Sequence, residues 1–529
     1  MAADAMDAGR MAEALTSYLQ QHPEAALLED GRVLFDLRRA RYAVSEAHGR
    51  CLLQFWSDEQ NLLRTVVGLE ERAQCLRVAT RRMGVARPQT LELVPNHQKR
   101  TPTTRESGRK NYLRLLERVL ARNFVGAKLE GFRSAMDLEH SFGPAYVRGR
   151  IAQGPAASAV IGVSSAESAA IIDGILTLGL LWLDYSREHA VRHRHVGGLK
   201  VIVPEGCERV TAERMAWLNH GAARFELYTL NERGEELQPV ELRDSGNLEA
   251  RLVHAFSHEA SLERCREGIE RVLALVPDAA RARVELRPRS SSEVALLAHG
   301  LAFARVRHGV ADTSFTQAIE VSFGAGPNET LLRRENEAGC RDLLAQLFVS
   351  RHPDGARNDA LYRLQPEHWL ESELRQKLGE LLPGLREEPV YEQVPALSSG
   401  DRGLLDLLAL DREGRLTVLE LKADEDLHLP LQALDYWMRV RALNRDRQPV
   451  GGAATALSAF ARSGYFPGCA ISERDPRLLL VAPALRIHPA NQPVLKYFSP
   501  QVAWELIALG EQWRRELRII FRKRSTDPR

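Results

Sequence analysis

The sequence predicts a multidomain α/β protein of the α+β kind, and three observations predict it. The chain has 529 residues, more than one hydrophobic core organises. Its 44% apolar and 27% charged residues are those of an ordinary soluble globular chain. The period of its apolar residues also changes along the chain, from two between 30 and 95 to alternating strand-like and helix-like blocks over 110–205 and 365–500. Four segments are expected: 1–100 as a helix plus a small antiparallel β domain, 101–210 as an α/β domain, 211–350 as a mixed α/β domain, and 351–529 as a second α/β domain with a mixed sheet flanked by helices.

Taken in order, residues 1–30 are Ala-rich and read as helix. Val33–Leu37, Arg41–Val44, Cys51–Trp56 and Cys75–Val78 then alternate as strands. Residues 96–109 are polar and basic and read as a linker, followed by a helix over Tyr112–Arg122. Phe225–Tyr228 and Val240–Leu242 flank the turn Asn231–Gly234, which reads as a hairpin. Leu262–Leu275 reads as one amphipathic helix, and Leu301–Val306 and Ala318–Phe323 as strands. The Gly-rich turn Gly324–Asn328 lacks the Lys-Ser/Thr of a P-loop and reads as structural. Arg351–Gly355 reads as a loop and a domain boundary.

Net charge is only +2, so any basic surface is local. One such patch is the Arg-rich end around Ile519-Ile520-Phe521, which could meet a nucleic-acid backbone. The basic stretch Arg192–His195 reads as a loop, not a metal site. The six cysteines are scattered without Cys-x-x-Cys, which argues against a zinc ribbon and fits a reduced, cytoplasmic protein. Met1–Met11 has no apolar run of a signal peptide, and Ile171–Leu183 is too short to span a bilayer and reads as a buried helix. No membrane association is expected.

The chemistry concentrates near the C-terminus. Gly403–Leu410, the turn Asp411–Gly414 and Leu416–Lys422 read as a hairpin that ends in Glu420-Leu421-Lys422 and carries Asp406 on its first strand. Side chains alternate along a strand, so Glu420 and Lys422 share a face, and Asp406 can lie opposite them. Buried charges are costly unless paired or bound to a metal. Two acids and an amine among Leu and Val therefore suggest a divalent-cation site beside a lysine. Only eight of the 72 basic residues are lysine, so a lysine at this place is informative. Ahead of the hairpin, a helix from Pro366 carries Glu371 and Glu373; after it, Leu429–Leu443 carries Gln432 and Tyr436; Leu478–Pro483 reads as a further buried strand.

These residues resemble the PD-(D/E)XK nuclease superfamily over roughly 365–500, with Leu405 in place of the proline before the first Asp. The resemblance implies a restriction-endonuclease-like core, similar to that of mismatch-specific and restriction-like endonucleases. It implies hydrolysis of phosphodiester bonds in DNA with Mg²⁺, or Mn²⁺, and allows a homodimer. It assigns Asp406, Glu420 and the carbonyl of Leu421 as metal ligands, Lys422 as the group that orients the attacking water, and Gln432 as a residue near the scissile phosphate. The helix acid is Glu371 or Glu373. At about 100° per residue Glu371 lies roughly 65° and Glu373 roughly 95° from the centre of the Leu370/Leu374/Leu378/Leu381 stripe, which favours Glu371.

The segment 110–205 repeats part of this order. Laid over the C-terminal block without a gap, Gly162 falls on Glu420, Ser164 on Lys422 and Arg148 on Asp406, while Leu183-Asp184-Tyr185 matches Leu434-Asp435-Tyr436. This is either a degenerate nuclease-like repeat in which Arg148 fills the cation position, or an unrelated α/β domain. Two other functions remain open for the whole chain. One is a non-catalytic nucleic-acid-binding or defence scaffold, and the other is a ligand-activated nuclease effector.

Overall fold

A computed structural model describes residues 8–526 except 24, 30–31, 38–39, 48–49, 57–60, 73–74, 82–88, 95–101, 138, 191–193, 243–250, 311–316, 326–328, 399–400 and 450–455. The Gly-rich turn and the Arg192–His195 stretch lie partly outside the described residues. The chain forms two compact units. One comprises Met1–Ile175, Val201–Cys207 and Tyr228–Gln238, and the other Leu176–Lys200, Glu208–Leu227 and Pro239–Arg529. The segment expected at 101–210 thus contributes to both.

The N-terminal helix Ala8–Gln21 buries Met11, Leu15 and Leu19, spaced four apart on one face. They join the core of a seven-stranded sheet built from Ala26–Val94, whose described pairings are antiparallel. The expected linker at 96–109 is corrected, because helix α1 (Pro102–Asn123) begins within it. Its residues Tyr112, Leu116, Val119 and Leu120 make one apolar stripe and are buried, so tertiary packing extends the helix into a polar N-terminal stretch.

After α1 come β1 (Lys128–Arg133), β2 (Tyr146–Gln153), β3 (Ala156–Val163), α2 (Ile175–Glu188), β4 (His195–Pro204), α3 (Glu208–Met215), β5 (Arg224–Asn231) and β6 (Glu236–Val240). The six strands form one sheet in chain order. Ala169–Glu188 is the one described stretch long and apolar enough to cross a membrane, and 61% of its apolar window is buried inside the protein.

The second unit repeats that succession. A short strand β7 (Arg251–Leu252) leads to the central module described below. Then follow α4 (Pro366–Gln376), β8 (Tyr391–Ser398), β9 (Asp401–Leu410), β10 (Leu416–Leu421), α5 (Leu429–Arg445), β11 (Arg477–Pro483), α6 (Asn491–Lys496), β12 (Ala503–Leu509) and β13 (Ile519–Arg524). Their sheet order is β7-β8-β9-β10-β11-β12-β13. β10 pairs antiparallel with β9 and parallel with β11, with α5 as the crossover. All six residues of β10 are buried, because both faces of the sheet are covered. The turn into β10 is set by Asp411, whose carboxylate accepts from the amides of Glu413 (2.9 Å) and Arg415 (2.8 Å). Gly414 completes it at φ +80°, where a Cβ would stand 2.1 Å from the Ala470 carbonyl.

Between the two successions lies an antiparallel sheet built from Val284–Leu331. It packs against the helices His258–Arg264, Arg266–Leu273 and Glu337–Ser350. The single helix expected at 262–275 is instead two, broken at Cys265. Arg351, fully buried after the last helix, donates to the carbonyls of Ala298, His299, Leu361, Leu364 and Gln365 at 2.6–3.3 Å. It fastens this sheet to the lead-in of α4.

Candidate metal and phosphate site

The hairpin register pairs Leu407 with Leu419 and Leu408 with Val418, which brings Asp406 and Glu420 next in line. Glu420 is 3% exposed, and its Oε2 has no hydrogen-bond partner. Asp406 accepts from the Leu421 amide at 2.8 Å. Burial pushes the Asp406 carboxyl up to about 7 against the Leu421 hydrogen bond, with Glu371 adding to the rise. Burial, then the Asp406 charge, likewise raises Glu420 well above the carboxylate range. Lys422 stands 3.7 Å from Glu420, 3.7 Å from Glu367 and 3.9 Å from Asp426. Burial alone would lower its ammonium, but the four surrounding carboxylates outweigh burial and raise it.

The two α4 acids part company. Glu371 is buried, accepts from Gln393 Nε2 at 3.0 Å, and meets His368 at 3.3 Å and Arg287 at 3.5 Å. Its charge reaches Asp406. Glu373 instead takes His299 (2.8 Å) and the Trp369 indole (3.2 Å). Gln432 is half-buried on α5, one turn before Tyr436 on the same face. Burial and then the Glu420 and Asp406 charges raise the Tyr436 hydroxyl, so this helix face looks onto the carboxylates. The Leu421 side chain lies in the core, and its amide serves Asp406.

Sequence reasoning missed two participants. Glu367 is one turn before Glu371 and is the α4 acid that meets Lys422; the i,i+4 spacing was the available signal. Gln393 has φ +49° on β8, an uncommon conformation for a non-Gly residue. The β8–β9 register, Glu392 with Leu407 and Val394 with Leu405, puts Gln393 opposite Asp406. Its backbone conformation leaves no sequence signature.

In the first succession the corresponding place is filled. The β2–β3 turn has two residues, between Gln153 and Ala156, whereas the β9–β10 turn has five, between Leu410 and Leu416. The ungapped overlay is therefore corrected: the residue opposite Gly162 is Val147, not Arg148. Arg148 takes the other face, where it donates to the Ala135 carbonyl (2.6 Å) and lies 4.7 Å from the Phe142 ring centroid. A Cβ on Gly162 would meet Leu116 and the Tyr112 hydroxyl at 2.9 Å, so a carboxylate there would have to displace both buried side chains. The shared Leu-Asp-Tyr triplets make scaffold contacts. Within the second unit, Arg214 of α3 donates twice to Asp435 (2.9 and 2.7 Å), and the Tyr497 hydroxyl donates to Asp184 (2.5 Å).

The basic C-terminal strand shares one buried acid with β11. Arg522, Arg524 and Arg477 each stand 3.4 Å from the buried Glu505.

No family model fits the chain, and no curated protein is significantly similar in sequence.

A divalent cation fits the donor set at Asp406 and Glu420. Both are hard oxygen donors held largely from water, and one Glu420 oxygen lacks any partner. No three His, Cys, Asp or Glu side chains among the described residues form a ready-made cage. Mg²⁺ commonly takes only one or two carboxylates and keeps waters or phosphate oxygens as its other ligands.

Proposed function

We propose that this protein is a divalent-metal-dependent nuclease that hydrolyses phosphodiester bonds in DNA in the cytoplasm. The observation that carries the reading is the buried, partnerless carboxylate oxygen of Glu420, next in register to Asp406 and within salt-bridge distance of Lys422. The resemblance of Asp406…Glu420-Leu421-Lys422 to the PD-(D/E)XK superfamily supports it, as does the order of helix, hairpin, helix and parallel strand around it. Asp406 and Glu420 would hold Mg²⁺ or Mn²⁺, together with the Leu421 carbonyl. The bound ion supplies Lewis-acid polarisation of a phosphate oxygen and a more acidic water.

The chain's own groups do the rest. Lys422 orients the attacking water and offsets charge that develops on the phosphate. Its raised pKa keeps it cationic throughout the neutral range. Glu367, about half exposed, and Asp426 hold the ammonium in place from the solvent side. Glu371, anchored by Gln393 and Arg287, adds negative potential at Asp406 and favours a bound cation over a bare carboxylate pair. Gln432 faces the phosphate side from α5. The Gly162 position has no room for a second such centre, so one chain cuts one strand.

The test is a supercoiled-plasmid assay with Mg²⁺ or Mn²⁺, comparing the unaltered protein with Lys422→Ala and Asp406→Asn. Loss of relaxation in both variants is expected; activity equal to that of the parent would remove the assignment.

A further inference from the structure

We propose that the cavity between strand Val284–Ser290 and β8 binds a free mononucleotide, its phosphate on arginines and its base against tyrosines. The cavity measures about 190 Å³ and is lined by Arg287, Arg289, Arg375, His254, Tyr391 and Tyr465, among others. Drug-sized pockets span about 300–1,000 Å³, so this one is too small for a dinucleotide.

Arg289 is the guanidinium left to meet an anion, since Glu285, Glu371 and Glu392 already surround Arg287. Three guanidiniums line the cavity against one carboxylate, Glu392, which is already engaged by Arg287 (2.6 Å) and Arg375 (2.8 Å). Arg289 forms neither a hydrogen bond nor an ion pair with any described residue, although burial and the neighbouring Arg287 charge depress its pKa. Arg287 is 7% exposed, and its Nη1 and Nη2 lack hydrogen-bond partners even though Glu285 and Glu371 stand 3.5 Å away. The unpaired Arg289 and the 42% exposed Arg375 offer donors that suit the several acceptor oxygens of a phosphate. The Tyr391 and Tyr465 rings, with centroids 4.7 Å apart at 60°, supply an aromatic wall of the kind on which bases stack.

The site also has a wire to the carboxylate pair. Arg287 reaches from the cavity to Glu371, and β8 contributes Tyr391 and Glu392 to the cavity and Gln393 to the position opposite Asp406. A phosphate anion beside Arg287 competes electrostatically with Glu371 for its charge. Nucleotide and divalent cation then alter each other's affinity by the same factor. This coupling rests on the nuclease reading; the binding does not.

The experiment is isothermal titration calorimetry of the full chain with AMP and with inorganic phosphate, using the parent, Arg289→Ala and Arg289→Lys, each checked for an unchanged melt. AMP is expected to bind more tightly than phosphate. Arg289→Ala should weaken AMP by roughly tenfold or more, as loss of a charge-assisted hydrogen bond requires, and Arg289→Lys should recover part of it. No AMP binding at millimolar concentration, or equal binding by Arg289→Ala, overturns the proposal. Phosphate as tight as AMP removes the base from it. Binding is read without cleavage, so a protein that binds AMP and cuts nothing loses only the nuclease assignment. One that cuts DNA and ignores AMP loses only this site.

Discussion

Replacing Asp406 by Asn should make the metal-free protein more stable while abolishing its activity. In the folded protein the Asp406 carboxyl sits at about 7, against an ordinary 3.8, chiefly because it is buried. Its folded-state pKa is therefore the raised one. The folded state binds more protons than the unfolded state between about pH 4 and 7, so stability falls as pH rises through that window. The displacement corresponds to a ceiling of about 4 kcal/mol above pH 7. Water entry and relaxation around a half-buried group bring this down to about 1–3 kcal/mol. Asn keeps an oxygen for the Leu421 amide and removes the charge facing Glu420. At about 2–4 °C per kcal/mol for a unit of 150–250 residues, and less for a larger one, Tm should rise by about 2–6 °C. The assay is thermal melting in EDTA from pH 5 to 8, for parent and variant. The gap should open with increasing pH, and Mn²⁺ at pH 8 should raise the parent's Tm and leave the variant's unchanged. A gap that ignores pH, or a variant less stable than the parent at pH 8, refutes the electrostatic argument.

Other consequences are simpler to measure. Lys422→Ala should lower the cleavage rate by about 100-fold or more, in the range of losing a preorganised electrostatic group, whereas Glu367→Gln, which touches only the ammonium, should cost less; single-turnover rates separate the two. At limiting enzyme, supercoiled plasmid should accumulate as relaxed circle before any linear product appears on a gel. Gly162→Ala should destabilise the protein by about 1–3 kcal/mol through overpacking against Leu116 and Tyr112, read as a lower Tm with cleavage retained at low temperature. Arg351→Leu leaves five carbonyls without their donor. It should cost at least about 3 kcal/mol, seen in chemical denaturation.

The mixed α+β architecture was legible where a residue's local pattern and its environment agree. The run Leu416–Leu421 reads as a strand because both of its faces are covered, and Leu429–Leu443 reads as a helix because its apolar residues face a core. The hairpin turn was readable from Asp411 and Gly414, whose chemistry fixes the backbone. The site was legible in part. Alternation along the strand puts Glu420 beside Lys422, but it cannot show that Glu367 rather than Glu371 meets the lysine, since that depends on how α4 lies over the sheet. Gln393 was invisible because its role follows from a backbone angle. The ungapped overlay failed at Arg148 because turn length, not residue similarity, sets which side chains oppose each other.

The loop at Arg351–Gly355 looks from the sequence like a natural place to divide the protein. The wiring of α4 argues otherwise. Ser372 bonds Glu285, Glu371 meets Arg287, Glu373 takes His299, and Arg351 clasps the carbonyls on both sides. A fragment starting at 351 would contain every acid of the proposed cation site, yet it would lose the partners that fix the helix carrying Glu367 and Glu371. Expression trimming for this protein should therefore keep the second unit whole, its segments 176–200 and 208–227 included. A shortened C-terminal piece that proved inert would report a missing brace, not a missing ligand.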